Sequence, residues 1–253
     1  MKWPFFKSGS EDSRKENQQE KQDGNNNARD AFFNALNEKR KEDPLIGAKI
    51  GAKEVVDHLI HKMKDSKGVH IESLICALGA LAGYSCQASL RKELIEMKGL
   101  TEDQVFTVIT TKNGNKYYFG ELVNQPLAEN RLSVWSLSAG AVQRLGINKG
   151  IDLGNIFKYV TETVGSDNYG LPRIPEGHRP GDIPSDYVRY LWPVFLMTAE
   201  EYCASPSEWP ILFGLAVQES IVTGKDTLDP LLALSIAMES AVPMAKADIF
   251  GAK

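Results

Sequence analysis

The longest apolar stretch of the chain runs from His70 to Ala82, HIESLICALGALA, and its pattern predicts the helix around which the rest is built. At ~100° per residue, Ile71, Leu74, Ile75, Leu78 and Leu81 fall on one broad face. Cys76, Gly79, Ala80 and Gly83 fall on the other. The thin side, with glycines four apart, predicts a second helix packed backbone to backbone, and Glu72 lies on that same arc. A buried carboxylate there must reach solvent at the helix start or find a partner. Spanning a membrane needs ~20 mostly apolar residues. The strongly apolar run ends at Tyr84, before Ser85, Gln87 and Ser89, so the pattern predicts a core helix and no membrane span.

Helical periodicity recurs over about 28–41, 46–64, 85–97, 132–145 and 153–164, the last N-capped by Asp152. Three more helices are predicted over about 186–203, kinked at Pro193, 208–222 and 230–242. Ser205-Pro206-Ser207-Glu208 reads as a capping box and Asp229-Pro230 as an N-cap with proline in the first turn. Between residues 105 and 119 the period changes to two. Asn113-Gly114, the preferred type I′ dipeptide, separates a β-branched run from an aromatic one. A lone hairpin is marginal in water, so it must lie on the helices or pair with a copy from another subunit. The prediction is a mainly α, multi-helix globular domain with one β-hairpin.

Two segments lack periodicity. Residues 1–27 are almost wholly polar and read as a flexible arm, with Trp3, Phe5 and Phe6 at its tip as candidate partner-docking residues. Residues 28–43 then form an outrigger helix ending at Asp43-Pro44, and 44–253 a single helical domain. The second segment, 165–184, carries four prolines and four glycines. Loops this long in a compact domain are usually functional. Its prolines, with Tyr169, Leu171 and Ile174 as anchors, predict an ordered loop.

Composition narrows the function classes. With 253 residues, 42% hydrophobic and 25% charged, the chain can build a sizeable core. The net charge is −4, and because residues 1–43 hold nine basic and nine acidic side chains, all of it sits in the folded part. No basic field draws a nucleic acid. Cys76, Cys86 and Cys203 form no CxxC pair and read as small buried hydrophobes in a reducing cytoplasm. The amino-terminal apolar core is too short for a signal peptide.

No nucleophile elbow, phosphate-binding glycine loop, dinucleotide fingerprint or zinc spacing occurs, and no cofactor is implied. Glu54, His58, His61 and Asp65 share a helix face, but it lies opposite the apolar stripe and reads as solvated, so no metal is assigned. A di-metal carboxylate bundle is set aside because Glu-x-x-His is missing. What survives is a candidate ligand pocket of Glu72, Glu219 and Glu239 on the three most apolar helices, covered by Arg173, His178, Arg179 and Asp182 of the loop. A carboxylate in an apolar wall is raised in pKa unless a cation meets it. The first functional expectation is a non-catalytic binding or assembly module that engages an unknown protein or itself. The alternative is a small-molecule sensor or enzyme using that pocket.

Overall fold

The described residues, 28–251 of a computed structural model, fall into two units that meet at Ile46 and Gly47. In the first, α1 (28–39) carries Phe32 and Phe33 edge to face, 5.1 Å apart. Past it, the Asp43 carboxylate accepts the Leu45 amide at 3.2 Å, bracketing Pro44 in a turn. The polar arm 1–27 and its aromatic tip lie outside the described residues.

The second unit takes in α2 (Ile46–Met63) from Gly47 on, then α3 (Ile71–Leu90) and the short α4 (Glu102–Val105). The hairpin follows as β1 (Thr107–Thr110) and β2 (Lys116–Phe119), then α5 (Glu121–Asn124), α6 (Val134–Arg144) and α7 (Leu153–Glu162). It closes with α8 (Pro184–Tyr202), α9 (Trp209–Thr223) and α10 (Pro230–Met244). This is the mainly α architecture with a single hairpin that the periodicities predict. Asp152 and Asp229 cap α7 and α10, each accepting an amide three residues on at 2.9 Å.

Buried without interruption from Glu72 to Ser89, α3 is flanked by α10, α9 and α8. Its thin face does what the glycine spacing predicts. A Cβ on Gly79 would lie 2.5 Å from the Ala237 carbonyl oxygen, and one on Gly83 would lie 2.0 Å from that of Ala241. The matched four-residue steps show that α3 and α10 run in the same direction, in backbone contact.

Four local expectations need correction. The helix predicted separately over 85–97 is continuous with the central one. A π-helical stretch, Arg91–Met97, prolongs α3, giving 27 residues in all. Its polar residues do not break it because they are satisfied in place. Ser85 and Ser89 donate to the Ala82 and Cys86 carbonyls at 2.7 and 3.0 Å, and Gln87 donates to those of Met244 and Ala247 at 2.9 and 2.8 Å. The argument from length against a membrane span therefore fails: this helix is long and apolar enough to cross one, and 89% of its apolar window is buried inside the protein.

The hairpin turn also differs. Gly114 has φ +83°, but no residue other than glycine takes a positive φ among the described residues, which excludes a type I′ turn at Asn113-Gly114. Thr111 instead accepts the Gly114 amide and donates its own to Asn115, both at 2.9 Å, a three-residue loop with glycine at the left-handed position. The hairpin also gains a third neighbour within the chain. Residues 246–248 lie along β2, with Tyr118 donating to the Lys246 carbonyl at 2.7 Å and Asp248 to that of Lys116 at 3.1 Å. At Ser205 no capping box forms. Pro206–Glu208 is a 3-10 turn, Glu208 accepts the Ala204 amide at 3.2 Å, and the Ser205 hydroxyl meets that of Ser207.

Candidate functional site

Residues 165–183 form an irregular strap that crosses α10, α7 and the start of α3. Polar side chains fix it, because a segment without regular secondary structure must find other partners for its backbone. At its beginning the Tyr169 hydroxyl donates to the Pro243 carbonyl at 2.9 Å, and the ring packs edge-on against Tyr117 at 4.6 Å. Gly170, at φ +75°, lies where a side chain would meet Met244.

Arg173 is the second fastening. Its Nε and Nη2 donate to Oε1 of Glu239 at 3.0 and 2.7 Å, its Nη1 donates to Asn155 at 2.7 Å, and its guanidinium lies 4.2 Å from the Tyr159 ring centroid. One side chain thus joins the strap to α7 and α10. Glu239 is only 8% exposed, so this charge-assisted pair is what makes its burial tolerable.

Beyond Arg173 the strap closes on the start of α3. His178 Nδ1 lies 2.8 Å from Glu72 Oε1, and His70 Nε2 lies 3.3 Å from Oε2 of the same carboxylate. Burial pushes the Glu72 pKa up, but the hydrogen bond from His178 and the nearby imidazoles more than offset it, so the carboxyl titrates below its ordinary value. Ionised Glu72 can only accept, which places a proton on Nδ1 of His178. The lowered pKa contributes stability that is present above the ordinary carboxylate value and lost as pH falls through the lowered one. Ser73 completes the clasp: its hydroxyl accepts the Gly181 amide at 2.8 Å and meets His70 Nδ1 at 2.8 Å. The Asp182 amide in turn donates to the Tyr187 hydroxyl at 3.3 Å.

Ser73, His70 and Glu72 are linked in the order of a nucleophile, a base and an orienting carboxylate. Their surroundings assign them a structural task. Ser73 is 7% exposed, and the amide that could polarise a substrate oxygen, that of Gly181, is spent on the serine itself. Glu72 and His178 form a hydrogen-bonded pair, but the neighbouring cavity is lined by Arg179 and Pro180 and not by His178.

That cavity, about 780 Å³, opens within the curve of the strap. Leu171, Ile174, Ile183 and three prolines give it an apolar lining, and Arg173, Arg179, Asp182 and Asp186 supply its charges. The charges are of two kinds. Arg173 is engaged by Glu239, and Asp186 accepts from Arg189 at 2.8 Å. The Arg179 guanidinium and the Asp182 carboxylate make no ion pair or side-chain hydrogen bond among the described residues, and both residues are exposed.

The candidate residues are therefore brought together only in part. Glu72 meets His178, and Glu239 meets Arg173, each through the strap. Glu219 is half-buried on α9, and its carboxylate joins neither pair. Leu171, expected as an apolar anchor, is 38% exposed and faces the cavity. Ser73, Asn155, Tyr159 and Tyr187 hold the strap and carry no pattern that sequence reasoning detects. Among the described residues no three or more His, Cys, Asp or Glu converge to hold a metal. On the α2 stripe, Glu54 accepts from Tyr202, His58 packs edge-on against Phe195 at 5.3 Å, and Asp65 accepts the Lys67 amide. In comparisons with known proteins, no family model, curated protein or solved structure matches the chain.

Proposed function

We propose that the protein is a non-catalytic binding module whose strap cavity takes a small zwitterionic ligand with an apolar body, of the size of an apolar amino acid or dipeptide. The division of charge on the strap carries this reading. One arginine and two glutamate contacts hold the segment in place, which leaves Arg179 and Asp182 free to meet a carboxylate and an ammonium group over an apolar floor. The volume lies in the range of ordinary ligand pockets, about 300–1,000 Å³. The free, buried thiols of Cys76 and Cys86 support a reducing cytoplasm as its setting, burial of the α3 window supports a protein that stays out of the membrane, and a net charge of −4 speaks against nucleic acid.

A thermal-shift series with apolar amino acids and dipeptides tests it. A ligand at a hundredfold excess over its dissociation constant stabilises the native state by about 2.7 kcal/mol. Arg179→Ala and Asp182→Ala are each expected to abolish that shift while changing the unliganded stability by no more than about 0.5 kcal/mol, as at other exposed positions. No stabilisation across the series, or stabilisation that survives both substitutions, contradicts the assignment. The other reading, assembly, draws on the exposed face of α8.

A further inference from the structure

We propose that the exposed face of α8 is a self-association surface, on which α8 of a second copy lies antiparallel about a two-fold axis near Val194. The face is large and apolar for a helix with solvent on one side. Tyr190 is 72% exposed, Met197 70% and Val194 38%, while Leu191, Trp192, Phe195 and Ala199 on the opposite side are buried. At ~100° per residue, Tyr190, Val194 and Met197 fall within about 60° of arc and form one stripe, which Glu201 shares toward the helix end. Tyrosine, methionine and arginine are the side chains enriched where proteins meet.

Charge identifies the occupant. Arg189 and Glu200 are both exposed, and eleven residues of helix place them within about 20° of each other on one flank of the stripe. Arg189 stands toward the helix start and Glu200 toward its end. In an antiparallel pair related by a two-fold axis, a flank faces the same flank of the partner in reverse order. Arg189 of each copy then meets Glu200 of the other, and Tyr190 meets Met197. A parallel pairing about a two-fold axis along the helices sets this flank against the opposite one, where Arg189 and Glu200 do not meet. Both groups have capacity to spare. Arg189, 44% exposed, uses one N–H on Asp186, and Lys92 beside Glu200 is already paired with Glu96 at 2.9 Å.

The test is the mass of the full chain in solution, by sedimentation across a range of concentrations, for the native protein and four variants. The native chain is expected to dimerise as concentration rises. Tyr190→Glu, Arg189→Glu and Glu200→Arg are each expected to weaken the dimer by about tenfold or more. The double variant R189E/E200R is expected to restore it, since the reversed charges face each other again. Circular dichroism melts at a concentration where all are monomeric check that the variants fold. A native chain that stays monomeric overturns the proposal. So does a dimer that the single reversals leave intact, or a folded double variant as weak as the singles.

Discussion

Gly83→Ala is expected to destabilise the protein by about 3 kcal/mol or more, the upper end of what overpacking costs. The new methyl would stand 2.0 Å from the Ala241 carbonyl oxygen and 2.6 Å from the Ala241 Cα. Both are backbone atoms of α10, so no rotamer change relieves the clash, and the two helices must separate along a seam buried from end to end. Gly79→Ala meets Ala237 in the same way at 2.5 Å and is expected to be the milder of the two. Gly140, inside α6, is the control. A Cβ there has nothing within 4 Å, so Gly140→Ala is expected to stabilise by about 0.4–1 kcal/mol through helix propensity and the unfolded chain. Urea denaturation of the three variants measures the order. A Gly83→Ala variant as stable as the native protein would show that α3 and α10 are not in backbone contact.

The second large effect concerns Lys246, which is 1% exposed just beyond α10. Its ammonium donates to the Asn124 side chain and lies 5.7 and 5.8 Å from the Phe119 and Phe157 ring centroids, with no ion-paired carboxylate among the described residues. Burial pushes its pKa down to about 8, against 10.5 for a free lysine. Between those values the unfolded chain binds more protons than the folded one, so this residue makes stability rise with pH across that window. The span corresponds to about 3 kcal/mol at ~1.4 kcal/mol per pH unit. Cys76 and Cys86, raised by burial to about 12, act in the opposite sense at alkaline pH, so total stability does not isolate the lysine. The difference between the native protein and Lys246→Met does. It is expected to shift in favour of the native chain by about 3 kcal/mol from neutral pH to about 10.5. Chemical denaturation at a series of pH values reads it, and a constant difference would mean that the lysine is solvated in the folded state.

The features legible in the sequence are those set by a residue's own element. The paired glycines at 79 and 83 mark a close approach because nothing else at that spacing leaves a helix face empty, and Asp152 and Asp229 cap helices whose first turns follow at once. What escaped depends on partners distant in the chain. Residues 246–248 pair with β2 across more than a hundred residues and are too few to carry a period. Gln87, which looks like a break in an apolar helix, is tolerated because two carbonyls at the end of α10 receive it. Asn113-Gly114 supplied the glycine that the turn needs, but the register Thr110 to Lys116 lengthened the loop by one residue. Helical projection placed Glu72, Glu219 and Glu239 on buried helices without showing which turn of the strap reaches each. The distances pair the first with His178 and the last with Arg173.

The account rests most heavily on an irregular strap fixed by side chains of the helices beneath it, and amide hydrogen exchange tests that directly. In the native protein the Gly181 amide, donating to Ser73, and the Arg173 amide, 3.4 Å from Glu239, are expected to exchange about tenfold or more slowly than in an unstructured peptide. Ser73→Ala is expected to release Gly181 and leave the α3 and α10 amides protected. Exchange of both strap amides at the unstructured rate in the native protein would contradict the fixed strap, and with it the preformed cavity.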